Sequence, residues 1–298
     1  MNKPVGLYNL GNTCYLNSCI QILLSCKKFT KYIKENVGEE NFLSTCLVNM
    51  LDDNRNIFQV KKYIQKNNED MKHGQQDAHE CLVFLLDKLH DEFVLANYNY
   101  VYLYSESDKM SQLSNKNWKQ FVKNKKRSKI LDLFYNQFMV KFTCTECYKE
   151  SYKFYCNNYY KLEGPLQEDF SKCCLKSEES EILEKECTNC KKERVAHNKI
   201  ERIWRTSKYF IILLERWTLG EKDNTFVKYP LHDFEINKKS YQLVNVINHF
   251  GSTRFSGHYT NFVKYPGGWY HTDDISIDKI CPESVLNKNA YILLYSQT

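Results

Sequence analysis

Two short cysteine pairs, Cys144-Thr-Glu-Cys147 and Cys187-Thr-Asn-Cys190, constrain most strongly how this 298-residue chain can fold. Four thiolates at this pairing can close a tetrahedral zinc site. The 39 residues between the pairs exceed the gap of a short zinc ribbon, so the insert has to form a substructure whose ends meet. Cys144, Cys147, Cys187 and Cys190 are therefore expected to hold one structural Zn2+. A closed set of four sulfurs leaves no open position for catalysis. Cys156, Cys173, Cys174 and His197 lie in or beside the insert and read as packing residues. Cys19, Cys26, Cys46, Cys81 and Cys281 read as structural.

The 13 cysteines are not spaced like a secreted disulfide framework. The opening MNKPVGLYNL lacks an apolar run of signal-peptide length, and no stretch of about 18 apolar residues occurs. An intracellular, reducing compartment (cytoplasm, nucleus or both) is expected, with no membrane partner. Hydrophobic residues at 42% can build a sizeable core, and 10 Gly with 5 Pro argue against long flexible linkers. The net charge of +6 does not demand nucleic acid, and none is expected as a partner. The basic run Lys116–Lys129 reads as a solvated helix face before a strand-like Ile130–Phe134. Ser177–Glu186 reads as a solvated loop.

The segment Gly6–Leu24, GLYNLGNTCYLNSCIQILL, places Cys14 at a helix start. Leu16, Cys19, Ile20, Leu23 and Leu24 share one face at helical spacing. Asn12 and Thr13 are candidate caps. Helix amides and the helix dipole favour a thiolate at that end. Asn9 is close enough to place an amide donor near the sulfur, where it can stabilise an oxyanion. An ordinary buried cysteine shares the same pattern, so a nucleophile needs a second partner.

That partner lies in GHYTNFVKYPGGWYHTDD, Gly257 to Asp274. Tyr259–Tyr265 and Trp269–His271 read as strands, joined at the turn signal Pro266-Gly267-Gly268. The hairpin puts His258 and Asp273 toward its open end. A histidine oriented by a carboxylate can take a proton from a thiol and give one to a leaving amine. Ala78, Cys81, Leu82, Leu85, Leu86, Leu89 and Phe93 have helical spacing, with Asp77 and Glu80 near the start of that helix.

These segments resemble, in order, the boxes of the ubiquitin-specific proteases. Gly6–Leu24 is similar to the cysteine box, GQQDAHECL (Gly74–Leu82) to the glutamine–aspartate box, and the Gly257–Asp274 hairpin to the histidine box. Ser128–Cys147, Tyr209–Trp217, Tyr241–Gly251 and Ala290–Tyr295 also match, so the resemblance runs from Gly6 to Tyr295. It implies a papain-like α+β cysteine protease with thumb, palm and zinc-tied β fingers. The parts would be thumb 1–135, fingers 136–205 and palm 206–298, in a single catalytic domain.

The implied activity is that of a deubiquitinating thiol protease, cutting the isopeptide or peptide bond after ubiquitin's C-terminal glycine. Ubiquitin and ubiquitinated proteins would be its partners, and the enzyme a monomer. Cys14 would be the nucleophile, His258 the base, Asp273 its orienter, Asp274 an assisting acid and Asn9 an oxyanion donor. Asp77 and Glu80 would hold ubiquitin's basic tail. Trp217, His249, Gly257 and Tyr259 would line its channel, with His249–Gly257 as a gating loop. A catalytically weak ubiquitin-binding protein and a protease for a ubiquitin-like modifier stay open beside this reading. The chain departs from the family at Arg205–Lys208, where a proline is usual, at Glu215-Arg216-Trp217 in place of Lys-Arg-Phe, and at Cys81 in place of phenylalanine.

Overall fold

A computed structural model describes residues 3–94, 108–218, 221–253 and 256–298. The N-terminal half is helical: α1 (Cys14–Ser25), α2 (Lys27–Asn36), α3 (Phe42–Asn49), α4 (Ile57–Asn67), α5 (Ala78–Glu92), α6 (Lys109–Lys125) and α7 (Lys129–Phe134). The apolar face predicted for α1 is present, but the opposite face is buried as well, so that all twelve residues of this helix are buried. Neighbours take up the N–H groups of its polar side chains, while Asn17 Oδ1 and Gln21 Oε1 are left without a partner among the described residues. Asn17 Nδ2 donates to the Tyr8 carbonyl at 3.2 Å and Gln21 Nε2 to that of Val5 at 2.6 Å. Buried polar groups with such partners cost little. Helix α1 is therefore a central element, packed on α5 and on the large sheet.

Helix α5 follows the predicted stripe, with Cys81, Leu82, Leu85, Leu86 and Leu89 buried. Residues Ile130–Phe134 are not a strand. They lie in α7, which Ser128 caps by accepting from the Leu131 amide at 3.4 Å. A six-residue apolar run carries too few turns for periodicity to separate helix from strand. On α6, Trp118 is buried while the lysines face outward, and the Arg205 guanidinium lies 4.0 Å from its ring centroid.

The middle of the chain runs β1 (Asn136–Cys144), β2 (Glu150–Asn157), β3 (Tyr159–Leu162), α8 (Phe170–Ser177), β4 (Glu181–Cys187) and β5 (Lys192–Arg205). Four of these strands form an antiparallel sheet ordered β2-β1-β5-β4. The Glu-rich stretch is thus largely an edge strand instead of a loop, held by its ladder to β5 with most side chains in solvent. Residues 136–205 are not one part throughout. Strand β3 leaves this sheet and pairs in parallel with the next strand, in the large sheet.

That large sheet uses β6 (Tyr209–Leu214), β9 (Phe234–Ile236), β10 (Lys239–Thr253), β11 (Ser256–Tyr265), β12 (Gly268–Asp273), β13 (Ser276–Ile280) and β14 (Ala290–Gln297). The two short strands β7 (Trp217–Thr218) and β8 (Glu221–Lys222) pair only with each other. Its order is β13-β12-β11-β10-β14-β6-β3, with β9 added on β10. One face adds Ile211, Leu213, Ile247, Ile292 and Leu294 to the helical core. The other sets Phe210, Ile212, Val246, Leu293 and Tyr295 against Val227, Tyr229 and Phe170. Each such side chain contributes about 1.5–3 kcal/mol on burial. Strand β6 stops at Leu214, short of the end of the matching Tyr209–Trp217 segment. Arg216, fully buried, donates to the carbonyls of Ala290 at 2.5 Å, Asp223 at 2.8 Å and Thr225 at 3.0 Å, which turns the chain out of the sheet before Trp217.

Candidate active site

Cys14 is the first residue of α1 and is 1% exposed. Neither expected residue caps the helix. Asn12 takes a positive φ of 54°, and Thr13 turns its hydroxyl back to accept from the Leu10 amide at 2.8 Å. The first-turn amides beside the sulfur thus carry no side-chain cap.

The predicted hairpin is β11–β12. Tyr265 faces Gly268 across a two-residue Pro266-Gly267 turn, and the open end carries His258 and Asp273. His258 Nε2 lies 2.6 Å from Asp273 Oδ1. With Nε2 so engaged, Nδ1 is the ring nitrogen left for Cys14. A hydrogen bond with the Cys14 sulfur is the main influence raising the His258 pKa to about 9. Burial opposes the rise and the Asp273 bond adds to it.

Asp274 lies on the turn after β12, at a φ of 51°. Its carboxylate accepts from Asn9 Nδ2 at 2.8 Å and from Asn17 Nδ2 at 2.6 Å, and its carbonyl accepts from the Leu7 amide at 2.8 Å. It ties the loop before Cys14 to the end of the histidine hairpin. One N–H of Asn9 is spent on this link, and Asn9 Oδ1 accepts from the Gly11 amide at 3.0 Å.

The six expected tail-binding residues divide by burial. Asp77 is 1% exposed: it caps α5 by accepting from the His79 amide at 2.6 Å and accepts from the Tyr291 hydroxyl at 2.9 Å. His249 and Tyr259 are also buried, their rings 4.6 Å apart. In this structure, then, Asp77, His249 and Tyr259 are walls behind the cleft, and Glu80, Trp217 and Gly257 present surface. Glu80 lines an open groove of about 290 Å3 with Phe84 and Tyr159. The Trp217 ring stands edge-on to His249 and Tyr291, and its Nε1 donates to the Ser252 carbonyl at 3.0 Å.

His249–Gly257 is not a loop but the end of the β10–β11 hairpin, whose tip (254–255) lies outside the described residues. The absence of a side chain at Gly257 serves the protein's own backbone. A Cβ there would sit 2.2 Å from the Phe250 carbonyl oxygen and 2.7 Å from His249 Nε2, at a φ of +151°.

Two residues escaped the sequence reading. Gln75 clamps Gly257 from across the cleft: its Nε2 donates to the Gly257 carbonyl at 2.6 Å, and its Oε1 accepts from the Gly257 amide at 2.8 Å. Gln75 stands inside the GQQDAHECL segment, but a partner 182 residues away leaves no local signal. Lys222 donates to the His249 carbonyl at 2.6 Å, with Nζ 3.3 Å from Nδ1. Burial, then Lys222, lowers the His249 pKa to about 4, so this ring is neutral. Burial in turn brings Lys222 down to about 8.

The four cysteines converge at the tip of the four-stranded sheet, with all sulfurs within 4.8 Å of one another. Cys144 and Cys190 sulfurs are 3.8 Å apart, those of Cys147 and Cys187 3.7 Å. A tetrahedral ion bound at about 2.3 Å per sulfur requires edges of about 3.8 Å, so the donor set fits a metal such as Zn2+. His197 pairs with Cys144 across β1 and β5 but turns Nδ1 to the Val195 carbonyl at 2.8 Å.

A family model described as ubiquitin carboxyl-terminal hydrolase matches residues 5–295. Among curated relatives, ubiquitin carboxyl-terminal hydrolase Usp2 of Drosophila melanogaster is 29% identical, covering 98% of this chain and 35% of its own length. Ubiquitin carboxyl-terminal hydrolase 2 of Homo sapiens is 27% identical, with 97% and 54% covered. The chain thus spans about a third to a half of these relatives. A solved structure of the SAGA DUB module Ubp8/Sgf11/Sus1/Sgf73 bound to monoubiquitin superposes with a TM-score of 0.79 at 20% identity, covering 100% of this chain and 70% of that one. The same module bound to ubiquitin aldehyde gives 0.77, also at 20% identity and with the same coverage. These likenesses carry the fold.

Proposed function

The chain belongs to the ubiquitin carboxyl-terminal hydrolase family, and from that premise we propose that it is a deubiquitinating thiol protease. The observation that carries the reading is the convergence of Cys14, His258 and Asp273 from opposite ends of the chain, with the imidazole bridging sulfur and carboxylate. In the proposed reaction the Cys14 sulfur, its proton held by His258, attacks the carbonyl carbon of ubiquitin's last glycine. The carbonyl oxygen becomes an oxyanion facing the uncapped amides at the start of α1 and the second N–H of Asn9. As the oxyanion collapses, the C–N bond breaks and the His258 proton goes to the leaving lysine amine, or to an α-amine where the bond is a peptide. A thioester remains. Water then attacks it, passes a proton to His258, and returns the thiol and a free ubiquitin carboxylate.

Supporting parts follow from the same geometry. Asp273 fixes the ring and favours its charged form. Asp274 acts by aiming Asn9. Gly257, Glu80 and Trp217 would meet the tail, with the Glu80 carboxylate suited to an arginine. Cys144, Cys147, Cys187 and Cys190 would hold one structural Zn2+, which ties β1–β2 to β4–β5 and supplies no chemistry at Cys14. The 13 cysteines are unbridged, which supports a reducing compartment. Among the described residues no helix is long and apolar enough to cross a membrane.

The test is a ubiquitin probe with an electrophilic C-terminus. Labelling that disappears in Cys14→Ala supports the proposal. Tight ubiquitin binding without labelling would leave a binding protein, and labelling only by a ubiquitin-like probe would redirect the substrate.

A further inference from the structure

A second cavity lies at the far end of the palm sheet. Strand β14 starts at Ala290, opposite Asn248 and beside the His249 wall, and ends at Gln297, opposite Tyr241. Seven residues at about 3.3 Å each put Gln297 about 23 Å along the sheet from that wall. There α6, α7, the end of β5 and the end of β14 enclose about 320 Å3. All three parts of the fold contribute to its walls: Trp118 and Asp132 from the helices, Arg205 from the fingers, and Lys208, Lys239 and Gln297 from the palm.

The charge around this cavity is one-sided. Arg205, Lys208 and Lys239 line it, and Asp132 is its single lining carboxylate, which forms an ion pair with Arg127. Lys239 Nζ donates to the Thr206 carbonyl at 3.1 Å and Lys208 Nζ to the Gln297 carbonyl. A carbonyl takes one ammonium proton but cancels no charge. Burial and then Lys28 lower the Lys208 pKa, and burial and then Arg205 lower that of Lys239. The folded chain therefore gathers cations that repel one another in a partly desolvated place. Trp118 and Thr206, both buried, also line the cavity.

We propose that this cavity is a binding site for a phosphate-class oxyanion, with Lys208 and Lys239 as its charge partners. Such an anion would neutralise the cluster and clamp helices, fingers and palm at their common junction. The site stands apart from Cys14, so its fate does not depend on the reading of the active centre.

Inorganic pyrophosphate is the first probe, titrated calorimetrically into the whole protein, with melting temperature followed in parallel at constant ionic strength. Binding with a raised melting temperature is expected. Lys208→Gln with Lys239→Gln should weaken it by about tenfold or more, and Lys208→Arg with Lys239→Arg should restore it. Phosphatidylcholine vesicles with and without a phosphoinositide separate the two sources of the anion. Capture dependent on the phosphoinositide and on both lysines points to a lipid headgroup, and pyrophosphate binding without capture points to a free phosphate. No binding of either probe to the wild type, or equal binding to the Gln pair, overturns the proposal. If the Gln pair does not fold, the wild-type titrations alone decide.

Discussion

Gly257→Ala should disable the active centre from the position next to His258. The new methyl group would stand 2.2 Å from the Phe250 carbonyl oxygen, a contact that only backbone movement can relieve. Holding a positive φ with a side chain adds about 1–2 kcal/mol, and overpacking adds about 1–3 kcal/mol. The shift also loosens the two Gln75 hydrogen bonds, each worth about 1 kcal/mol. Roughly 4–7 kcal/mol is therefore at stake, shared between stability and alignment. Moving His258 by about 1 Å against Cys14 would lower turnover about 100-fold. The assay is kcat/KM on a ubiquitin C-terminal fluorogenic amide, with the urea midpoint measured beside it. Gln75→Ala supplies the contrast: it removes the same two bonds without the clash, so a drop of about tenfold with a smaller change in midpoint is expected. Wild-type kcat/KM and midpoint in Gly257→Ala would refute the reasoning.

Three further outcomes are expected. Elemental analysis should find about one zinc per chain, and chelation should melt the fingers, so a metal-free protein with an unchanged melting curve would exclude the site. The native state holds His258 protonated up to about pH 9 against an ordinary 6.5. Its contribution to stability is thus full below about 6.5 and is lost as pH rises through 9, and the alkaline limb of activity should lie near 9 and move down in Asp273→Asn. A limb that does not respond to Asp273→Asn would detach it from His258. Asp77→Ala, which removes a buried cap and strands the Tyr291 hydroxyl, should cost about 1–3 kcal/mol in urea unfolding. Glu80→Ala should instead raise KM with little change in stability, and the reverse pattern would contradict their division into wall and surface.

The chemistry was more legible than its setting. Pro266-Gly267-Gly268 marked the turn, and the aromatic and β-branched runs on either side placed His258 and Asp273 at one end. The α5 stripe was long enough for its period to be unambiguous. Short elements failed: α7 has six residues, and the exposed β4 has only Ile182 and Leu183 among its charges, its ladder to β5 holding it in place. Burial of polar residues was also hidden. Nothing local distinguishes Arg216, which satisfies three carbonyls from the interior, from a surface arginine. Asp77 and Glu80 sit three positions apart with opposite exposures. The links Asn9–Asp274 and Gln75–Gly257 join sites 265 and 182 residues apart, and only the assembled fold reveals them.

The place of β14 has a consequence for the order of events during synthesis. This last strand does not finish an edge: it fills the gap between β10 and β6, near the middle of the sheet. Helix α1 is made before the surfaces on β10 and β11 that help to bury it, which emerge more than two hundred residues later. Contacts this distant in sequence make for slow, late closure. A nascent chain lacking residues 290–297 therefore carries Cys14, His258 and Asp273 and no complete sheet to hold them in register. If the proposed activity holds, competence should arrive abruptly with β14, and a growing chain should stay inert toward ubiquitin until then.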